Sequence, residues 1–490
     1  MKTMKKFLSM AALALVGAMT VSCSSDDNII EQPQQQEVTK NNVVTLTTTV
    51  GFADDGTTRA LTAAGVKTFA SGETMAVIYN NGTSTVKAVS HALKVSDITD
   101  GGKKATFTFD LETPSKSGSV LYIYPAAMAG DTGVDMTKLK TQEGTFDALQ
   151  SKYDLCTNFG AWDGDNLPSL TLENLLAILA ITLKNEAGTS DITSSITGLT
   201  LSDGTKTYNV NREAVAGPIY VAIFPTADAT ITVTATDGTT KNYTKTLTTT
   251  KTYEAGNGYP VSWKMTQVAT DLSTLTAAHT AQDGDILTGT LGSNVKISIA
   301  DGASVTLKDV TINGTNDEDY GWAGISCLGD ATITLEGTNT VKGFHQDYPG
   351  IHVPEGKTLT IQGEGSLNAS DNGLSAGIGG GDNLSCGNIV INGGTVTATG
   401  GDYAAGIGGV EGSCGAITIS GGTVTATGLR EAAGIGGGCS NTTCGTITIK
   451  STVTKVTATK GSDAPYSIGA GNGGEGITLT IQAGANVIQN

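Results

Sequence analysis

A Gly-Ile pair that keeps returning constrains this chain more than any other feature. After residue 284 it stands in Trp322-Ala323-Gly324-Ile325, Pro349-Gly350-Ile351, Ala376-Gly377-Ile378, Ala405-Gly406-Ile407 and Ala433-Gly434-Ile435, with a degenerate copy in Tyr466-Ser467-Ile468-Gly469. Successive isoleucines are 26, 27, 29, 28 and 33 residues apart. The intervals hold short β-rich runs. One reads Asn388-Ile389-Val390-Ile391-Asn392-Gly393-Gly394 then Thr395-Val396-Thr397-Ala398-Thr399, and the next Ala416-Ile417-Thr418-Ile419-Ser420-Gly421-Gly422 then Thr423-Val424-Thr425-Ala426-Thr427. A unit this short cannot bury its own Ile and Val side chains, but stacked units can, Ile on Ile and Val on Val. Alternation within Ile-Thr-Ile turns both Ile inward and Thr outward. Gly at fixed offsets permits the corners. The pattern predicts a parallel β-helix. A leucine-rich horseshoe is excluded by the missing Leu-x-x-Leu-x-Leu signature, and a propeller needs blades of about 40–50 residues.

The upstream half is also β in character. Residues 43–49 alternate apolar residues with Thr, and strand-like runs recur at residues 74–79, 105–109 and 120–125, separated by Asn80-Asn81-Gly82 and Asp100-Gly101-Gly102. A second series begins near Leu170, with runs at 175–183, 219–225 and 230–234, and closes at Ala255-Gly256-Asn257-Gly258-Tyr259. Composition agrees. Gly makes up 65 of 490 residues and charged residues only 15%, where about 7% and 25% are usual. Such a chain suits strands and tight turns rather than helical bundles. Aromatics are 5%, so no core is expected to be aromatic-rich. The sequence thus predicts an all-β protein: β-sandwiches over 43–155 and 156–266, then a parallel β-helix over 270–490.

The first residues read as an address. Lys2, Lys5 and Lys6 precede an apolar stretch at residues 7–21, which is too short for a bilayer span. It ends in Thr20-Val21-Ser22-Cys23, small residues before a Cys, which resembles a bacterial lipoprotein cleavage box. That resemblance implies a signal peptide over 1–22, acylation of Cys23 and a lipid anchor in the outer membrane. Ser24-Ser25-Asp26-Asp27-Asn28 resembles the surface-export signal of Bacteroidetes lipoproteins. Residues 23–42 read as a flexible, Gln-rich tether. The net charge of −17, with no basic block beyond the N-terminus, argues against nucleic acid as a partner. An exported chain permits disulfides, and the pairing among Cys327, Cys386, Cys414, Cys439 and Cys444 stays open.

Residues 43–266 resemble the fimbrillin-like family of Bacteroidetes surface proteins. The resemblance rests on Thr58-Arg59-Ala60, Phe69-Ala70-Ser71-Gly72-Glu73-Thr74, Ile123-Tyr124-Pro125 and Phe224-Pro225. It implies two sandwiches and, for pilin-type members, assembly with other fimbrillin subunits by strand exchange after proteolysis at an Arg, here Arg59. Residues 283–490 are similar to β-helical carbohydrate-binding domains of bacterial surface proteins. That similarity rests on Asp283-Gly284-Asp285-Ile286-Leu287-Thr288-Gly289-Thr290 and the Gly-Ile-Gly-Gly strings, and it implies acidic polysaccharide and Ca2+ as ligands.

Candidate chemistry lies just ahead of the Gly-Ile anchors, in Asp319-Tyr320, Asp347-Tyr348 and Asp402-Tyr403, with Trp322 and Tyr466 nearby. In stacked coils these would form a ladder of rings and carboxylates along one edge, repeating every ~4.8 Å. Ring faces suit the C–H face of a sugar, carboxylates accept from its hydroxyls, and Asp319, Asp347 and Asp402 could share a Ca2+. Alternatively, Asp-Tyr is a turn pair at a solenoid corner. A polysaccharide lyase would draw on Arg430, Lys450, Lys455 or Lys460 as base, and a hydrolase on two of Asp371, Asp382, Asp402 and Glu411. His91, His279, His345 and His352 form no metal-ligand motif. The expectation is a cell-surface, lipid-anchored adhesin or glycan-binding protein without turnover. A pilus-type structural or tip subunit is the alternative, and a lyase or hydrolase the third class.

Overall fold

The computed structural model describes residues 42–52, 68–163, 165–239, 241–439, 444–475 and 477–490. The expected signal peptide over 1–22, Cys23 and Arg59 lie outside the described residues.

The repeat folds as its pattern requires. Each coil contributes strands to three faces. The first face runs from Ala331–Glu336 through Thr358–Gly363, Asn388–Ile391 and Ile417–Ile419 to Ile447–Ile449 and Leu479–Ile481. The second runs from Thr338–Lys342 through Ser366–Ser370, Thr395–Thr399 and Thr423–Thr427 to Lys455–Thr459 and Val487–Gln489. The long strand Ala303–Asn313 serves both faces. The third face stacks short strands from His279–Ala281 to Ile468–Gly469, and from Ile297–Ile299 onward they carry the Ile column. The pairings between these strands are parallel, and the repeated Ile stay in register, Ile351 on Ile378 on Ile407 on Ile435. Ile389, Ile417 and Ile447 form one interior column and Val396, Val424 and Val456 another, all 0% exposed. The intervening Thr397, Thr425 and Thr457 face outward, as the alternation predicts.

Neighbouring coils are also tied by side chains. Asp283, Asp301 and Asp330 each accept a backbone N–H from a later coil, from Ser304, Asp330 and Thr358 respectively. Asn339, wholly buried, accepts from Val310 N and donates to Glu336 O and Ser366 O. Its amide is therefore satisfied, the condition for burying a polar group at low cost.

Upstream, Thr85–Val89, Ala76–Asn80, Ser117–Tyr124, Cys156–Asp163, Leu170–Asn174, Val43–Phe52, Lys104–Glu112 and Ile98–Thr99 follow one another in a single eight-stranded order. The core they enclose corrects one expectation: it is aromatic. Phe69, Tyr79, Phe107, Phe109, Tyr122, Tyr124 and Trp162 are all buried there. Phe69 stacks on Phe52 at 4.2 Å and meets Tyr124 edge-on at 5.2 Å. A low overall aromatic content hid a local concentration.

The second sandwich sets Ile219–Ile223, Ala177–Lys184 and Gly258–Lys264 against a six-stranded sheet built on Gly198–Ser202 and Thr232–Thr236. Ala177–Lys184 is its near-continuous buried run, central between an antiparallel and a parallel neighbour. The break expected at residue 155 is corrected as well. Cys156–Asp163 and Leu170–Asn174 pair within the first sheet, and the chain leaves it only at Asn174. Thr141–Gln142, by contrast, already belongs to the second sandwich, pairing with Thr207–Asn211. The buried Gln142 amide pins it there, donating to Leu139 O and Ala222 O and accepting from Ala222 N. One apolar cluster joins Ala76, Ile78 and Ile123 of the first sheet to Leu179, Val221 and Trp263 of the second, so the two sandwiches share a core.

Candidate functional site

The turns that lead from the second face to the third carry the residues singled out above. Their lengths differ from coil to coil, and this decides what meets what. Asp319-Tyr320 lies six and five residues before Ile325, Asp347-Tyr348 four and three before Ile351, and Asp402-Tyr403 five and four before Ile407. Tyr466 lies only two before Ile468 and is 58% exposed. The expected continuous ladder is therefore corrected to two clusters, separated by the turn of Asp371–Ser375, and a lone ring at the end.

The first cluster joins two adjacent turns. Tyr320 meets Trp322 edge-on at 5.4 Å, and Trp322 tilts against the buried Phe344 at 5.9 Å. Tyr320 and Trp322 thus pack on the solenoid core. The buried indole Nε1 of Trp322 has no hydrogen-bond partner among the described residues. Asp319 is exposed, its backbone N–H donating to the Asp317 carboxylate. Tyr348 remains partly at the surface. Its ring lies over Gly321 of the preceding turn, where an added Cβ would stand 3.5 Å from the ring and its hydroxyl. His345 flanks Tyr348 at 6.3 Å, and its Nδ1 lies 3.3 Å from the Asp347 carboxylate.

The second cluster is held by an arginine that the sequence analysis left unassigned as a partner. The Arg430 guanidinium sits 5.2 Å over the Tyr403 ring, donates to the Tyr403 hydroxyl at 3.1 Å and pairs with Asp402 at 3.1 Å. The Tyr403 hydroxyl and the Asp402 carboxylate raise the Arg430 pKa. The signal was present in the spacing, since Arg430 precedes Ile435 by five residues just as Asp402 precedes Ile407. Coil stacking puts such equivalent positions next to each other. The backbone at Tyr403 and Arg430 is left-handed, φ 66° and 49°, which holds both side chains at the corner at some conformational cost.

Between the clusters, Asp371 is only 9% exposed and accepts from the backbone N–H of Gly373 and Ser375 at 2.6 and 2.7 Å. Burial outweighs these bonds and raises its pKa to about 6. A carboxyl whose folded pKa lies above its unfolded value stabilises the fold most below about pH 4, and loses that contribution as pH rises through about 6. We expect Asp371→Asn, which keeps an accepting oxygen, to flatten this loss. Denaturant unfolding of both proteins from pH 4 to 7 should show a differential slope amounting to about 2–3 kcal/mol. Parallel pH profiles would show that burial does not control this group.

The other carboxylates considered for hydrolysis are dispersed in their contacts. Glu411 lies 3.9 Å from the Cys439 sulfur, and Asp382 accepts from its neighbour Asn383. Among the described residues, no group of three or more His, Cys, Asp or Glu is gathered to hold a metal ion, so Asp319, Asp347 and Asp402 do not converge. A shallow groove of about 630 Å³ lies on the second sandwich, lined by Thr200, Asn209, Thr234, Thr236, Asn242 and Thr244 among others, and among the described residues no carboxylate, histidine or lysine lines it. No helix among the described residues is long and apolar enough to cross a membrane.

Residues 359–382, 389–413 and 417–439 match the family model of a beta helix repeat. The C-terminal fold is a parallel β-helix. The matched segments are successive coils and include Asp371, Asp402 and Tyr403. No curated protein matches the chain. Among solved structures it is similar to a candidate cell adhesion protein from Bacteroides fragilis, at 10% identity over 44% of this chain and 92% of that one, TM-score 0.25. A candidate cell adhesion protein from Bacteroides uniformis matches at 11% identity over 46% and 97%, TM-score 0.25. A fimbrial assembly protein from Parabacteroides distasonis matches at 11% over 45% and 91%, TM-score 0.25.

Proposed function

We propose that this chain is a cell-surface adhesin that holds an extended polysaccharide along the turn edge of its β-helix without turning it over. The observation that carries the reading is the placement of two ring-and-charge clusters, His345-Asp347-Tyr348 and Asp402-Tyr403-Arg430, on the same series of turns, two coils apart. At ~4.8 Å per coil the clusters are about 10 Å apart along the solenoid. A polymer lying along that edge meets both, its sugar faces on the rings, its carboxylates on Arg430 and its hydroxyls on His345 and Asp347. The resemblance of residues 43–266 to fimbrillin-like proteins and the lipoprotein-like leader favour display from the outer membrane on an acylated Cys23. If Ca2+ takes part, it bridges Asp347 or Asp402 to carboxylates of the polysaccharide itself.

A glycan-panel screen of the full chain, run with Ca2+ and with a chelator, tests both parts. Binding to acidic polysaccharides in both conditions is the expected result, with Arg430 as the cation that needs no metal. Loss on chelation would assign the charge recognition to Ca2+. Absence of binding to any glycan would remove the proposal.

A further inference from the structure

Three cysteines occupy the same place in consecutive coils. Cys386, Cys414 and Cys444 each precede Gly, and the backbone pairs Cys386 with Cys414 and Cys414 with Cys444 as parallel neighbours. Main-chain bonds fix the register: Gly415 N donates to Cys386 O, and Gly445 N to Cys414 O. All three side chains point inward, at 2%, 6% and 7% exposure. The sulfurs of Cys386 and Cys414 are 2.6 Å apart.

We propose that this column is an oxidation site in which one inter-coil disulfide forms, always through Cys414, joining it to Cys386 or to Cys444 and leaving the third cysteine a thiol. Adjacent coils bring Cα atoms to ~4.8 Å, inside the window of about 4.4–6.8 Å that a disulfide spans. Cys386 and Cys444 are two coils apart, about 10 Å, and cannot join directly. The competing loops span 28 and 30 residues. Closure entropy varies only with the logarithm of loop length, so it does not choose between them.

The chemistry balances with an external low-molecular-weight disulfide as oxidant. The Cys414 thiolate attacks it and releases one thiol. The neighbouring thiolate then attacks the Cys414 sulfur of that mixed disulfide and releases the second. Two electrons pass from the cysteine pair to the oxidant, and the two cysteine protons end on the released thiols. Afterwards the spare cysteine can attack Cys414 and displace its partner, moving the bond by one coil with no net oxidation. The adjacent Cys386 and Cys444 thiols, together with burial, push the Cys414 pKa well up. Cys414 in the finished stack is therefore slow to react, and the bond is set while the coils assemble.

The test is refolding of the full chain from the reduced, denatured state in a mixture of oxidised and reduced glutathione. The product is alkylated under denaturing conditions and cleaved after glutamate without reduction. Glu411 and Glu431 separate the three cysteines, so mass spectrometry reads the linkage and fragmentation distinguishes Cys444 from Cys439. The expected result is a linked pair always containing Cys414, with the alkylated thiol shared between Cys386 and Cys444. Cys386→Ser should send the link wholly to Cys414–Cys444, and Cys444→Ser wholly to Cys386–Cys414; each keeps one pair and so does not depend on Cys414→Ser folding. Full alkylation of all three, or a link that omits Cys414, overturns the proposal.

Discussion

Gly408→Val is expected to abolish the cooperative unfolding transition of the β-helix. Gly408 follows the repeated Ile in a column with Gly379, Gly436 and Gly469, at φ 136° against 137°, 127° and 137°. L side chains rarely adopt this backbone, and an added Cβ would stand 2.0 Å from the Gly436 carbonyl oxygen of the next coil. That oxygen accepts from Gly409 N and is part of the ladder itself, so it cannot move aside without breaking the rung. Strain and clash together are expected to cost more than about 4 kcal/mol, a large share of the ~5–15 kcal/mol that holds a typical domain. Gly356→Ala is the control. Its φ is also positive, 74°, but nothing lies within 4 Å of the added Cβ, and it should cost only about 1 kcal/mol. Guanidinium titrations of the three proteins make the comparison, and equal midpoints would contradict the stacked-carbonyl geometry.

The second large effect concerns ligand. Tyr348→Ala combined with Tyr403→Ala should weaken polysaccharide binding about a hundredfold or more, at roughly 1.4–2 kcal/mol per buried ring contact. The melting temperature should change little, because both rings are partly exposed and lie outside the buried core. Trp322→Ala should behave differently. That ring packs on Phe344 and the core, so its loss should lower stability first. Unaltered binding by the double variant would rule out the ring clusters as the binding surface.

The sequence made the solenoid legible because its periodicity is a packing requirement. Ile407 has to stack on Ile378 and Ile435, and the alternation of Thr425 with Val424 and Ala426 leaves little choice of face. What escaped depended on turn lengths and on local concentration. The rings were assigned to one column because each precedes a Gly-Ile pair, yet spacings from 26 to 33 residues shift each ring against the next. Trp322 and Tyr320 could be named, but only the packing of Phe344 shows that they serve the core. Arg430 reads from the sequence as a possible lyase base and not as the partner of Asp402 and Tyr403. A column-by-column alignment would have paired them. Upstream, the run beginning at Leu170 looked like a fresh start. Its first part, Leu170–Asn174, completes the first sheet, and only Ala177–Lys184 opens the next.

In the proposed binding mode, one extended chain spans both clusters on the turn edge. Calorimetric titration of the full protein with size-graded oligosaccharides from a bound polysaccharide tests it most directly. Affinity should rise steeply with length until the chain reaches from Tyr348 to Tyr403, about 10 Å, then level off, with the oligosaccharides recovered intact. A monosaccharide binding as tightly as the polymer, or recovery of shortened products, would contradict it.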